Sequence, residues 1–142
     1  MKLDEKLWAT HQYQALVSFV HHLAYYRTLK RCYDVSQIES EFWTLTIDAH
    51  LLRAMIDWCM VFGADSNEVH WKNVDEETQN SFRSHLLEIA GLTEEQWRGY
   101  WLEMTTFRNT FTAHKTTTAT YPPVPILDMA LLVARSLSEY SP

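Results

Sequence analysis

Apolar side chains recur along the chain at intervals of three and four residues, the spacing that lays one face of a helix against a core. Leu16, Phe19, Val20 and Leu23 share such a face in a first helix predicted from about Asp4 to Lys30. Ser36-x-x-Glu39 has the form of a capping box, in which a hydroxyl and a carboxylate satisfy free backbone N–H groups. It opens a second helix that runs to Gly63, a residue suited to a left-handed C-terminal cap. That helix carries two apolar lines on neighbouring faces. One is Phe42, Leu45, Ala49, Leu52, Ile56 and Cys59; the other is Trp43, Ile47, Leu51, Met55, Trp58 and Phe62. A helix apolar on two faces is expected at the centre of a bundle.

The polar stretch GADSNEVHWKNVDEE reads as a connection, with Trp71 anchoring it to the core or, alternatively, stacking a base. Loop packing is the commoner use of such a Trp. A third helix spans about Glu76 to Ala90, with Phe82, Leu86 and Ile89 inward and Gly91 ending it. Thr93-x-x-Gln96 is a second capping box, opening a fourth helix whose seam is Trp97, Trp101, Met104, Phe107 and Phe111. After a run of threonines and the break YPPVP, a fifth helix starts near Pro125 and buries Ile126, Met129, Val133 and Leu137. Every proline lies at or beyond Pro122 and only three glycines occur. Such sparse punctuation predicts an all-α fold, a single-domain up-and-down bundle of about five helices over residues 1–142.

Composition narrows the function classes. Hydrophobic residues make up 46% and charged residues 21% of the chain, as in a globular domain. The formal charge of −6 argues against non-specific coating of nucleic acid, which needs a basic surface, while leaving room for a local basic cleft. Two cysteines, Cys32 and Cys59, make no disulfide framework. No signal-peptide pattern and no apolar run of about 20 residues is present, so the expectation is a cytoplasmic protein without a membrane span.

Candidate chemistry concentrates in TTFRNTFTAHK, Thr105 to Lys115. Met104, Phe107, Phe111 and His114 fall on one helical stripe, with Arg108 and Asn109 on its flank. Six residues of rise separate Arg108 from His114, about 9 Å, too far for contact but suited to flanking a phosphate. Spacing alone is better met by a plain alternative, His114 packed on the seam and Arg108 a solvated flank charge. Helix two carries the polar line Thr46, His50, Arg53 and Asp57. It is either a cleft wall or an exposed stripe in which Arg53 and Asp57 pair at i,i+4, and the stripe is the simpler reading. Among seven histidines His21 and His22 are adjacent and diverge, while His50 and His70 stand alone. No HxxxH, HExxH or paired ExxH occurs, so neither a metal nor another cofactor is expected. Cys59, on an apolar line, reads as a structural thiol.

As a set, Phe107-Arg108-Asn109-x-x-x-Ala113-His114 resembles the signature of HEPN domains: an Arg, a polar residue, then a His four to six residues on. The position of the motif on the fourth helix of a bundle fits that superfamily. The closest likeness is to the abortive-infection branch, where an F-R-N-K-x-x-A-H string precedes a Pro-rich turn and a last helix. Thr110 stands here where that branch often has Lys, and Lys115 is placed to compensate. The resemblance implies a metal-independent endoribonuclease in a phage-defence or toxin–antitoxin setting, acting on RNA rather than DNA. It implies a homodimer whose two motif sets share a cleft, and a possible antitoxin partner. His114 would be the general base or acid, Arg108 would hold the phosphate, and Asn109 would orient the phosphate or His114, with Lys115 and Arg53 as RNA contacts. A non-catalytic HEPN-like bundle serving dimerisation and partner binding is the alternative. Its Arg108, Asn109 and His114 would form a structural network at the subunit interface.

Overall fold

The computed structural model describes the backbone of residues 3–63, 71–72, 76–113 and 123–139, and side chains within 10–63, 71–72, 76–111 and 123–137. Five helices follow one another as an up-and-down bundle: α1 (Leu3–Ser36), α2 (Glu41–Phe62), α3 (Glu76–Ala90), α4 (Glu94–Ala113) and α5 (Leu127–Glu139). No strand occurs among the described residues. The most extensive helix–helix packing is between α1 and α2, and α2 also packs against α4, while α3 and α1 both pack against α5.

The helix boundaries follow from local chemistry. Helix α1 runs six residues past Lys30 and ends before Gln37, whose φ of 56° turns the chain out of the helix. Ser36 belongs to this ending rather than to a capping box: its hydroxyl donates to the Tyr33 carbonyl and accepts from the Ile38 N–H. The cap of α2 is Ser40, whose Oγ accepts from the Trp43 N–H at 3.3 Å. Both serines are competent caps, and the left-handed residue between them decides which one starts the helix.

Gly63 closes α2 without being left-handed, at φ −81°. Its N–H donates to the Cys59 carbonyl at 2.8 Å, and a Cβ there would stand 2.4 Å from that oxygen, so close approach requires the glycine. Gly91, at φ 64°, is the left-handed stop of α3. At the start of α4 the capping box forms in both directions, Thr93 N–H to Gln96 Oε1 at 2.9 Å and Gln96 N–H to Thr93 Oγ1 at 3.2 Å.

One apolar core joins all five helices and the connecting Trp71. Its centre is Trp58, fully buried, with Phe62, Trp97 and Tyr100 around it and its indole N–H on the Ala130 carbonyl at 3.1 Å. Trp101 similarly donates to the Phe62 carbonyl at 2.7 Å, locking α4 to the end of α2. Trp71 is buried against Phe82, with Lys72 and Arg83 near its ring, and its backbone N–H donates to the Val61 carbonyl. It is therefore a loop anchor and no stacking platform.

The predicted faces need correction at several positions. On α1, Val20 is exposed, unlike Leu16, Phe19 and Leu23. Of the two α2 lines, Ile47, Leu51, Met55, Trp58 and Phe62 are buried, whereas Trp43 at the head of that line and Phe42, Leu45 and Ile56 of the other are exposed because no described helix covers them. Ile89 is exposed on α3. Helix α5 begins at Leu127, and Leu127 rather than Ile126 turns inward: Ile126 is 73% exposed and Leu127 6%. The Tyr100 hydroxyl takes the Ile126 carbonyl at 2.6 Å and so fixes this register.

The register has a measurable consequence. Leu127→Ala is expected to cost about 2–5 kcal/mol in urea unfolding, while Ile126→Ala stays within about 0.5 kcal/mol of wild type. Equal losses at the two positions would mean that α5 enters the core one residue earlier.

Candidate functional site

Arg108 and Asn109 sit in the last two turns of α4, which is held in place by its buried seam residues Met104 and Phe107. Phe107 stacks on Phe111 with ring centres 5.3 Å apart, so the seam continues into the final turn. Arg108 is half-buried and Asn109 exposed. The guanidinium donates twice to one oxygen, Nε at 3.0 Å and Nη2 at 2.8 Å from Asn109 Oδ1. Because Arg offers only donors, the amide must turn its oxygen toward the guanidinium. The bifurcated bond holds the cation in a fixed orientation on the helix surface.

Cys59 of α2 lies within electrostatic reach of Arg108. Burial pushes its thiol up to about 11, and the positive charge of Arg108 works weakly against that rise. The electrostatic link places Arg108 beside the C-terminal half of α2, where Cys59 is fully buried. Cys59 is thus protonated at neutral pH and no nucleophile. His114 and Lys115 lie outside the described residues, as does His70. Arg108 and Asn109 therefore occupy successive positions on α4, six and five residues before His114 in the sequence.

Arg53 stands elsewhere. Its Nε donates to both carboxylate oxygens of Asp57 at 3.2 Å, and it acts electrostatically on His22 of α1. Cys59, the neighbour of Arg108, is six residues on from Arg53 along α2, about 9 Å in rise and about 120° around the helix. None of the described contacts joins the two arginines. The i,i+4 pair predicted for Arg53 forms, yet it is no exposed stripe: Asp57 is only 1% exposed. A buried carboxylate needs its cation, so Arg53 has a structural task in the core wall.

The same wall holds a contact that the sequence reading missed. His50 does not stand alone, because its Nδ1 lies 2.9 Å from Nδ1 of His22, and Tyr25 packs edge-on against both rings. A signal for it existed: His22 and His50 are each fourteen residues from Ser36, so a helical hairpin turning there sets them side by side. Among the described residues no three His, Cys, Asp or Glu side chains converge as metal ligands would. No described helix is long and apolar enough to cross a membrane.

Comparison with protein-family models, curated proteins and solved structures finds no match for this chain.

Two outcomes test this geometry. Ellman's reagent near pH 8 should titrate one thiol in the native protein, the exposed Cys32, and a second only after denaturation, because Cys59 is buried and its pKa is near 11. Arg53→Ala should lower stability by about 1.5–3 kcal/mol through loss of charge-assisted bonds to a buried carboxylate; a neutral result in chemical denaturation would make Arg53 an ordinary surface cation.

Proposed function

We propose that the chain is a metal-independent endoribonuclease of the HEPN type, working in a phage-defence or toxin–antitoxin setting. The observation that carries this reading is the Arg108–Asn109 chelate presented on the surface of α4, with Asn109 five residues before the His of the motif. A guanidinium held in a fixed orientation suits a phosphodiester, whose charge grows as the reaction proceeds and is best met by a donor that need not reorganise. His114 takes the proton of the ribose 2′-OH as that oxygen attacks phosphorus. The bond to the 5′-oxygen breaks, and the leaving oxygen receives a proton from an imidazolium. The products are a 2′,3′-cyclic phosphate and a 5′-hydroxyl, with no metal or redox partner required.

A two-fold dimer supports the same chemistry by bringing two sets of Arg108, Asn109 and His114 to one groove, so that one imidazole serves as base and its counterpart as acid. Lys115 extends the positive edge of that groove, which a chain of charge −6 needs in order to draw RNA. In this reading Arg53, committed to Asp57, is at most a peripheral RNA contact. An antitoxin protein would act by covering the groove.

One observation favours a second reading, a non-catalytic bundle for dimerisation and partner binding. The line Phe42, Leu45 and Ile56 of α2 is exposed, with Phe42 at 67% and Leu45 at 60%, and uncovered apolar stripes of this kind mark protein contacts.

Purified protein incubated with a mixed RNA pool in EDTA should generate 2′,3′-cyclic phosphate ends. Arg108→Ala should slow the reaction about 10²–10³-fold, the usual effect of removing one oxyanion donor, and His114→Ala should abolish it. Folded wild-type protein that leaves the pool intact would select the binding module.

A further inference from the structure

The His22–His50 contact joins α1 to α2 through two titratable rings, and its geometry is unusually informative. The nitrogens are 2.9 Å apart and the ring centres 5.2 Å. That separation of centres is as long as a 2.9 Å contact between ring atoms allows, so the two Nδ1 atoms point straight at each other. Two imidazoles chelating one metal ion converge on a point between them and bring their centres closer. The arrangement is that of a linear N–H···N hydrogen bond, in which one ring donates and the other accepts.

Proton bookkeeping follows directly. With both rings neutral, one Nδ1 carries the hydrogen and the other offers its lone pair. One added proton settles on the far nitrogen of the donor ring and leaves the Nδ1–H···Nδ1 bond in place. A second added proton must occupy the accepting Nδ1. Two N–H groups then face each other at a distance where only one hydrogen fits, and two positive rings share a half-buried site.

We propose that His22 and His50 form a proton-sharing clasp that fastens α1 to α2 while the pair holds no more than one extra proton, and opens when it takes up two. The groups facing the pair are His21 and Tyr25 from α1 and Arg53 and Asp57 from α2. Arg53 and Asp57 neutralise each other at 3.2 Å, so the net charge of the wall is set by the histidines. His21, His22 and Tyr25 also line a surface depression of about 390 Å³, through which solvent protons reach the rings. Burial, with His50 next in weight, holds His22 below its ordinary 6.5. The unfolded chain therefore takes up a proton before the folded one does. The stabilisation is complete above about pH 6.5 and declines as pH falls below it. Opening would hydrate Asp57 and uncover the α1–α2 core around Leu23 and Leu51, loosening the helix on which α4 rests.

Two measurements on the whole chain decide the matter. In protein labelled with ¹⁵N, a through-hydrogen-bond coupling between the Nδ1 atoms of His22 and His50 is expected at about pH 7.5 and lost at about pH 5. In parallel, melting temperature is followed over the same range for wild type and for His50→Asn, whose amide keeps a donor for His22 and cannot take up a proton. The wild type should lose thermal stability steeply toward low pH, and the variant should show a distinctly shallower slope. Absence of the coupling at about pH 7.5 would overturn the clasp, and so would an identical slope in a folded variant. Should the variant fail to fold, the coupling alone decides. Neither readout depends on RNA cleavage, so the clasp stands or falls apart from the ribonuclease reading.

Discussion

The burial of one indole organises this bundle. Among the described residues Trp58 is the largest side chain fully removed from solvent, and its N–H would be left without a partner if the neighbouring helices closed on apolar atoms alone. The Ala130 carbonyl supplies the acceptor from α5, while Trp97 and Tyr100 of α4 close around the ring. A single residue of α2 thereby sets where two other helices lie. Trp101 on the Phe62 carbonyl and Tyr100 on the Ile126 carbonyl repeat the arrangement at the edges of the core. Three aromatic side chains with polar ends turn a non-directional apolar contact into a fixed register.

That register is what gives Arg108 its place. Met104 and Phe107 are buried by the same packing, so the residue after Phe107 emerges at the flank of α4, beside Cys59 and half out of the core. Asn109 then fixes the guanidinium. The pair takes its position from the aromatic seam one residue before it.

On the opposite wall of α2 the polar groups serve the fold first. Asp57 is buried with Arg53 across its oxygens, and His50 meets His22 a turn away. The pairs differ in kind. The ion pair joins opposite charges, whereas the bond between two imidazoles depends on how many protons the pair holds. Helix α2 thus presents a permanent polar fastening beside a titratable one, and an uncovered apolar line on its remaining side.

The existence, type and order of the helices were legible in the chain, since periodicity, the Thr93 capping box and Gly91 act through neighbours within a turn or two. The limits of α3 and the place of Arg108 and Asn109 late on α4 followed from the same local rules. Ser36 misled because two serines four residues apart are equally good caps, and the choice fell to the backbone of Gln37. Ile126 misled because a Pro-rich entry allows either it or Leu127 to face inward, and the acceptor for Tyr100 chose between them. Which apolar line of α2 is buried, that Asp57 lies inside, and that His22 meets His50 are all contacts between separate helices. The sequence by itself determined the elements and the chemical types they carry, because those depend on near neighbours. Only the tertiary structure decided which faces meet, because that depends on where the few buried N–H and O–H groups find their acceptors.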